Sequence, residues 1–145
     1  MSKQIDPRGP RFGAALTTVV LAVVLISMPS PIATLLLVLQ TFVFGLGAFV
    51  GLHVQPYGIM YRKLIARRLG SPKELEDAQP PQFAQLVGFV FAVIGLVGLL
   101  TGATIVGQIA VGFALGAAFL NAAFGICLGC EMYVMGKKVL AHSKT

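Results

Sequence analysis

The sequence predicts an all-α integral membrane protein: a four-helix bundle of two transmembrane hairpins joined by a cytoplasmic amphipathic connection. Three observations predict it. The 145 residues are 57% hydrophobic and only 11% charged, with a mean hydropathy of +0.87. A soluble domain of that length cannot bury so much apolar surface. Four apolar runs are each long enough to supply the roughly 20 helical residues that cross a hydrocarbon core about 30 Å thick. All eleven Lys and Arg lie in three segments outside those runs.

The chain reads as one transmembrane domain over residues 1–145, with spans at about 12–28, 31–54, 83–100 and 104–135. The first span follows Lys3, Arg8 and Arg11 and ends at Met28-Pro29-Ser30-Pro31. That exit lacks a small-x-small cleavage pattern, so an uncleaved helix is expected rather than a signal peptide. Pro31 suits the first turn of the second span. Thr101-Gly102-Ala103-Thr104 is an equally short, uncharged link between the third and fourth spans. The pattern is therefore two hairpins with one long connection, residues 56–82.

Charge sets the orientation. The basic residues fall at the N-terminus, in the connection (Arg62, Lys63, Arg67, Arg68, Lys73) and at the C-terminus (Lys137, Lys138, Lys144). An even number of spans puts these regions on one side, and the positive-inside rule makes that side the cytoplasm. The protein is thus expected in the cell membrane with both termini cytoplasmic. The net charge of +6 is spread over short membrane-flanking segments, which points to a lipid surface and not to nucleic acid. Tyr57, Tyr61 and Tyr133 fall near the same interface, where a phenol buries its ring and wets its hydroxyl.

In the connection, Tyr57, Met60, Tyr61, Leu64, Ile65 and Leu69 recur at helical spacing with the basic residues mostly off that stripe. This predicts a short amphipathic helix on anionic lipid, or a docking surface for a soluble partner. Gly70 suits a helix end, and Ser71-Pro72-Lys73-Glu74 a capping box. Glu74, Glu76 and Asp77 read as solvated charges. Glycines four apart (Gly47 and Gly51, Gly98 and Gly102, Gly112 and Gly116, Gly125 and Gly129) predict close helix packing. Gln40 and Gln108, in the outer halves of their spans, read as interhelical hydrogen-bonding groups.

The only two cysteines are Cys127 and Cys130. Counting from Thr104 at about 1.5 Å per residue puts Cys127 roughly 34 Å along the fourth helix, at the cytoplasmic boundary. Cys127, Cys130 and Glu131 share a helix face. His53 ends the second span at similar depth, Asn121 lies somewhat deeper, and Arg8 and Arg11 enter the first span from the same side. These residues are the candidate site: Cys127 and Cys130 reactive, with His53, Arg11, Arg8, Asn121 and Glu131 around a substrate. A thiolate is the reactive form, and the C-terminal end of a helix dipole disfavours it, as does Glu131. His53 or an arginine must compensate. Two thiolates also suit Cu(I) or zinc, especially if a homodimer pairs two such motifs, although structural zinc usually takes four ligands. Two small residues packing a helix interface is the third reading. No metal or cofactor is assigned.

Four ordered motifs carry a resemblance: Asp6-Pro7-Arg8-Gly9-Pro10-Arg11-Phe12, His53-Val54-Gln55-Pro56-Tyr57-Gly58, Leu75 to Gln85, and Cys127-Leu128-Gly129-Cys130. Together they resemble domain-of-unknown-function family 4395, small multi-pass membrane proteins common in actinobacteria. The resemblance supplies no established activity. It implies a cytosolic partner of thioredoxin-like or rhodanese type, because genes for such proteins neighbour members of that family. The expectation is a membrane dithiol for thiol redox or sulfur transfer, with His53 and Arg11 stabilising a thiolate or a sulfur anion. The alternative is a small-solute (sulfur anion) transporter, or an assembly factor with purely structural cysteines.

Overall fold

A computed structural model describes residues 4–5, 8–51, 56–65, 76–77, 79–124 and 128–143. The chain is helical, as predicted. The helices are α1 (Arg8–Ser27), α2 (Pro31–Gly45, continued by a π-helical turn Leu46–Val50), α3 (Pro56–Met60, continued by a π-helical turn Tyr61–Ile65), α4 (Gln79–Leu100), α5 (Thr104–Phe124) and α6 (Leu128–Ser143). One two-residue antiparallel ladder, β1 (Gln4–Ile5) with β2 (Glu76–Asp77), pairs Gln4 with Asp77 and Ile5 with Glu76. Glu76 and Asp77, expected only as solvated charges, therefore also carry a backbone pairing.

Three helices are long and apolar enough to cross a membrane: Pro31–Val50, Gln82–Leu100 and Thr104–Phe124. The apolar stretch of α1, Arg11–Ser27, is shorter. The surface agrees with a lipid environment. Ile26 is 85% exposed and Leu100 72%, while Gln40 is 1% exposed. Large apolar side chains face out and the polar amide faces in, the reverse of a soluble domain.

The long helices pack in the cyclic order α1, α2, α4, α5, each antiparallel to its neighbours. Thr17 of α1 meets Gln40 of α2. Phe44 of α2 lies against Gly88, and Leu37 against Gly95 of α4. Gly98 of α4 abuts Gly107 of α5, and Met28 at the end of α1 also reaches Gly107. Leu21, Val24, Ala33, Leu37, Phe44, Ala92, Val111 and Ala114 form the core between them.

Local chemistry explains the element ends. Ser30 caps α2: its side chain accepts from the Ala33 amide at 3.3 Å, and Pro31 takes the first helical position. At the far end Gly51 adopts φ 145°, which ends the π turn and is open to glycine because it lacks a Cβ. Close approach to a neighbouring helix backbone is not at the paired glycines Gly112 and Gly116, which face open space. It is at Gly98, where a Cβ would lie 2.7 Å from the Gly107 backbone nitrogen. Spacing along one helix marked small faces; the cross-helix match between Gly98 and Gly107 decides which are used.

Candidate functional site

Two helix C-termini lie at one end of the ring, and each is met by a side chain from a neighbouring helix N-terminus. Gln82, near the start of α4, donates its Nε2 to the carbonyl of Ala48 at 3.1 Å. Arg11, near the start of α1, directs Nη2 at the carbonyls of Ala122 and Ala123 at 3.4 and 3.5 Å. Those distances are long for hydrogen bonds, so the guanidinium acts mainly as a cation on the negative end of α5. The last four carbonyls of a helix have no intrahelical donor, and a basic side chain is a common partner for them. Arg11 is itself exposed.

A single helix was expected to run to Met135, with the cysteines near its C-terminal end. The described residues give α5 over Thr104–Phe124 and α6 over Leu128–Ser143, and residues 125–127 lie outside them. Cys130 is thus the third residue of α6, and Cys127 directly precedes that helix in sequence. A thiolate is favoured at the N-terminal end of a helix and disfavoured at the other. Glu131, next to Cys130, opposes an anion in either case.

Cys127 and His53 lie outside the described residues, as do the side chains of Cys130 and Arg8. Asn121 is partly buried on α5, next to Ala122. Glu131 is exposed in the first turn of α6, where the dipole favours a carboxylate. Arg11 and the Asn121–Phe124 end of α5 are therefore brought together, and Glu131 lies in the helix that follows.

A second polar centre was only half legible. The Tyr57 hydroxyl donates to Gln40 Oε1 at 2.7 Å, and Gln40 Nε2 donates to Thr17 Oγ1 at 3.4 Å. Gln40 is the tenth of the 20 residues of Pro31–Val50. Tyr57 does not wet its hydroxyl at an interface; it reaches into the bundle. Tyr61 follows it, 3% exposed, with its ring 5.9 Å from Phe12. The first part of the connection therefore packs on α1, with the Tyr57 Cβ 3.6 Å from where a Gly13 Cβ would stand. The signal was present in the sequence. Tyr57 and Tyr61 are one turn apart, and Thr17 and Gln40 are polar residues inside apolar runs. With no ionisable group besides a phenol, this centre pins α3 to the bundle.

An open apolar groove of about 370 Å³ runs between α2 and α4, lined by Val38, Phe42, Phe89 and Leu96 among others. It offers almost no polar group to orient a solute.

A family model described as Domain of unknown function (DUF4395) matches residues 5–138. No curated protein and no solved structure matches the chain.

Proposed function

The chain belongs to the family Domain of unknown function (DUF4395), and we propose that it is a four-span membrane dithiol exchanging electrons or sulfur with a soluble cytosolic thiol protein. In this reading α1 is the fourth span. Its support is the antiparallel packing of α1 on α2 and α5, which gives its apolar stretch the same environment as theirs. The spans form two hairpins with short turns at Met28 to Ser30 and at Thr101 to Ala103. The uncharged turns face outward. The end holding Arg11, Gln82 and Phe124 faces the cytoplasm with both termini, because every basic residue lies on that side.

One observation carries the chemical reading: Arg11 reaches the Ala122 and Ala123 carbonyls, five and four positions before Cys127 in the sequence. In this reading that guanidinium is the cation that favours a thiolate. In the redox form, one thiolate attacks a partner disulfide and releases a partner thiolate, leaving a mixed disulfide. The second thiolate then attacks that bond, so the pair closes to a disulfide and the partner leaves as a dithiol. In the sulfur form, a thiolate takes the terminal sulfur of a partner persulfide, and the partner leaves as a thiol. Arg11, with Arg8, His53 and Asn121, stabilises the anion in either case, and Glu131 marks the polar rim.

Thiol labelling of purified protein before and after reduction tests this. The proposal expects a reagent-accessible pair after reduction and a fraction closed or carrying extra sulfur before it. Two free thiols under every condition, together with full complementation of a deletion strain by Cys127→Ser/Cys130→Ser, would favour cysteines that only pack.

A further inference from the structure

Helix α6 has a face that no other element covers among the described residues. Met132, Met135 and Val139 are exposed, and Gly136 between them faces open space. At 100° per residue these four fall on one side of the helix. A second side is occupied: the Tyr133 ring packs 5.9 Å from Phe83 of α4. A third side carries charge. Glu131, Lys137 and Lys138 are exposed there, with Lys137 Nζ 5.1 Å from the Tyr133 ring centre. Val134 is the one exposed large apolar residue on that charged side.

What covers the apolar face follows from where α6 packs. The described part of α5, Thr104–Phe124, has 21 residues, and at about 1.5 Å each they span about 31 Å, close to the hydrocarbon thickness. Tyr133 packs on Phe83 near the start of α4, so α6 lies beside that end of the spans, with an apolar face and two lysines. A helix of this kind lies in the interface, its apolar side in the acyl boundary and its cations toward phosphates.

We infer that α6 lies in the headgroup layer of the bilayer that α5 crosses, with Met132, Met135 and Val139 against the acyl boundary and Lys137 and Lys138 toward anionic lipid. This inference rests on the membrane reading of α2, α4 and α5 and not on the sulfur chemistry.

The chain has no tryptophan, so single substitutions give unambiguous fluorescence. Met135→Trp, Val139→Trp and Lys138→Trp are each reconstituted as full-length protein in phosphatidylcholine vesicles with and without phosphatidylglycerol. Brominated lipids serve as the quencher. Helix content by circular dichroism confirms that each variant folds. The inference expects blue-shifted, bromine-quenched emission from Met135→Trp and Val139→Trp, and red-shifted, weakly quenched emission from Lys138→Trp. Quenching at Val139→Trp should strengthen with phosphatidylglycerol and lose that dependence on adding Lys137→Glu. Red, unquenched emission at positions 135 and 139 overturns the inference by leaving the face to a soluble partner. Blue emission that ignores brominated lipid and fades as protein is diluted in lipid overturns it in favour of a second copy. Phe113→Trp, on the exposed side of α5, separates the two levels. If it is quenched while position 135 is not, only the interfacial helix fails. If it too is unquenched, the membrane reading fails with it.

Discussion

Replacing Gly98 by alanine tests the packing most sharply, because the new methyl meets backbone. Its Cβ would stand 2.7 Å from Gly107 N, 2.9 Å from Ala103 O and 3.0 Å from Gly107 Cα. Ordinary contact begins at 3.4 Å, so α4 and α5 must part by several tenths of an ångström. No side chain can swing away to absorb the methyl. Overpacking of this kind costs about 1–3 kcal/mol, a factor of roughly 5 to 150 in the folded-to-unfolded ratio. Gly112→Ala is the matched control: nothing lies within 4 Å of its Cβ, and the higher helix propensity of alanine offers up to about 1 kcal/mol in its favour. Both are measured by reversible unfolding in mixed detergent micelles, followed by circular dichroism. The expected order of stability is Gly112→Ala at or above wild type, then Gly98→Ala well below. Equal losses at the two positions, or a Gly98→Ala within about 0.5 kcal/mol of wild type, would refute close approach at Gly107 as the reason for Gly98.

The buried polar centre predicts coupling. Tyr57→Phe and Gln40→Leu, alone and combined, should show an interaction energy of about 0.6 kcal/mol and no more than about 1.7; purely additive effects would mean that their 2.7 Å hydrogen bond contributes nothing in lipid. Arg11→Gln should cost about 0.3–1 kcal/mol of stability, because its cation offsets the C-terminal end of α5. That loss should shrink as salt rises, since Arg11 is exposed; a salt-independent loss would assign Arg11 to packing.

Fold class was legible because lipid imposes one demand that sequence records directly: long apolar runs without charge. Pro31–Val50, Gln82–Leu100 and Thr104–Phe124 were each visible as such a run. What composition does not record is where an apolar segment changes direction. Ile126 and Cys127 suit a helix and an interface equally, so the run to Met135 read as one span, and nothing in that run foretold that Tyr133 packs on Phe83 near the start of α4. Partner choice was equally hidden. Gln40 was recognisable as an interhelical donor, but nothing local tells it to seek Tyr57, seventeen positions on and in a different element. Among the site residues, the basic end of α1 was legible from charge alone. Its target, the carbonyls of Ala122 and Ala123, is more than a hundred positions on, and nothing local in the sequence names it.

The central claim is that a cysteine of the pair reacts with a soluble protein's sulfur, either through a mixed disulfide that the other cysteine resolves or by taking the terminal sulfur of a persulfide. Expressing Cys127→Ser and Cys130→Ser separately in cells, quenching with acid and an alkylating reagent, and identifying membrane adducts by mass spectrometry tests this directly. The account predicts that one of the two variants accumulates either a mixed disulfide with a cytosolic thiol protein, released by reductant, or a persulfide on its remaining cysteine, while the double variant carries neither. If neither single variant yields an adduct and the remaining thiol is recovered free and fully alkylated, the relay is contradicted.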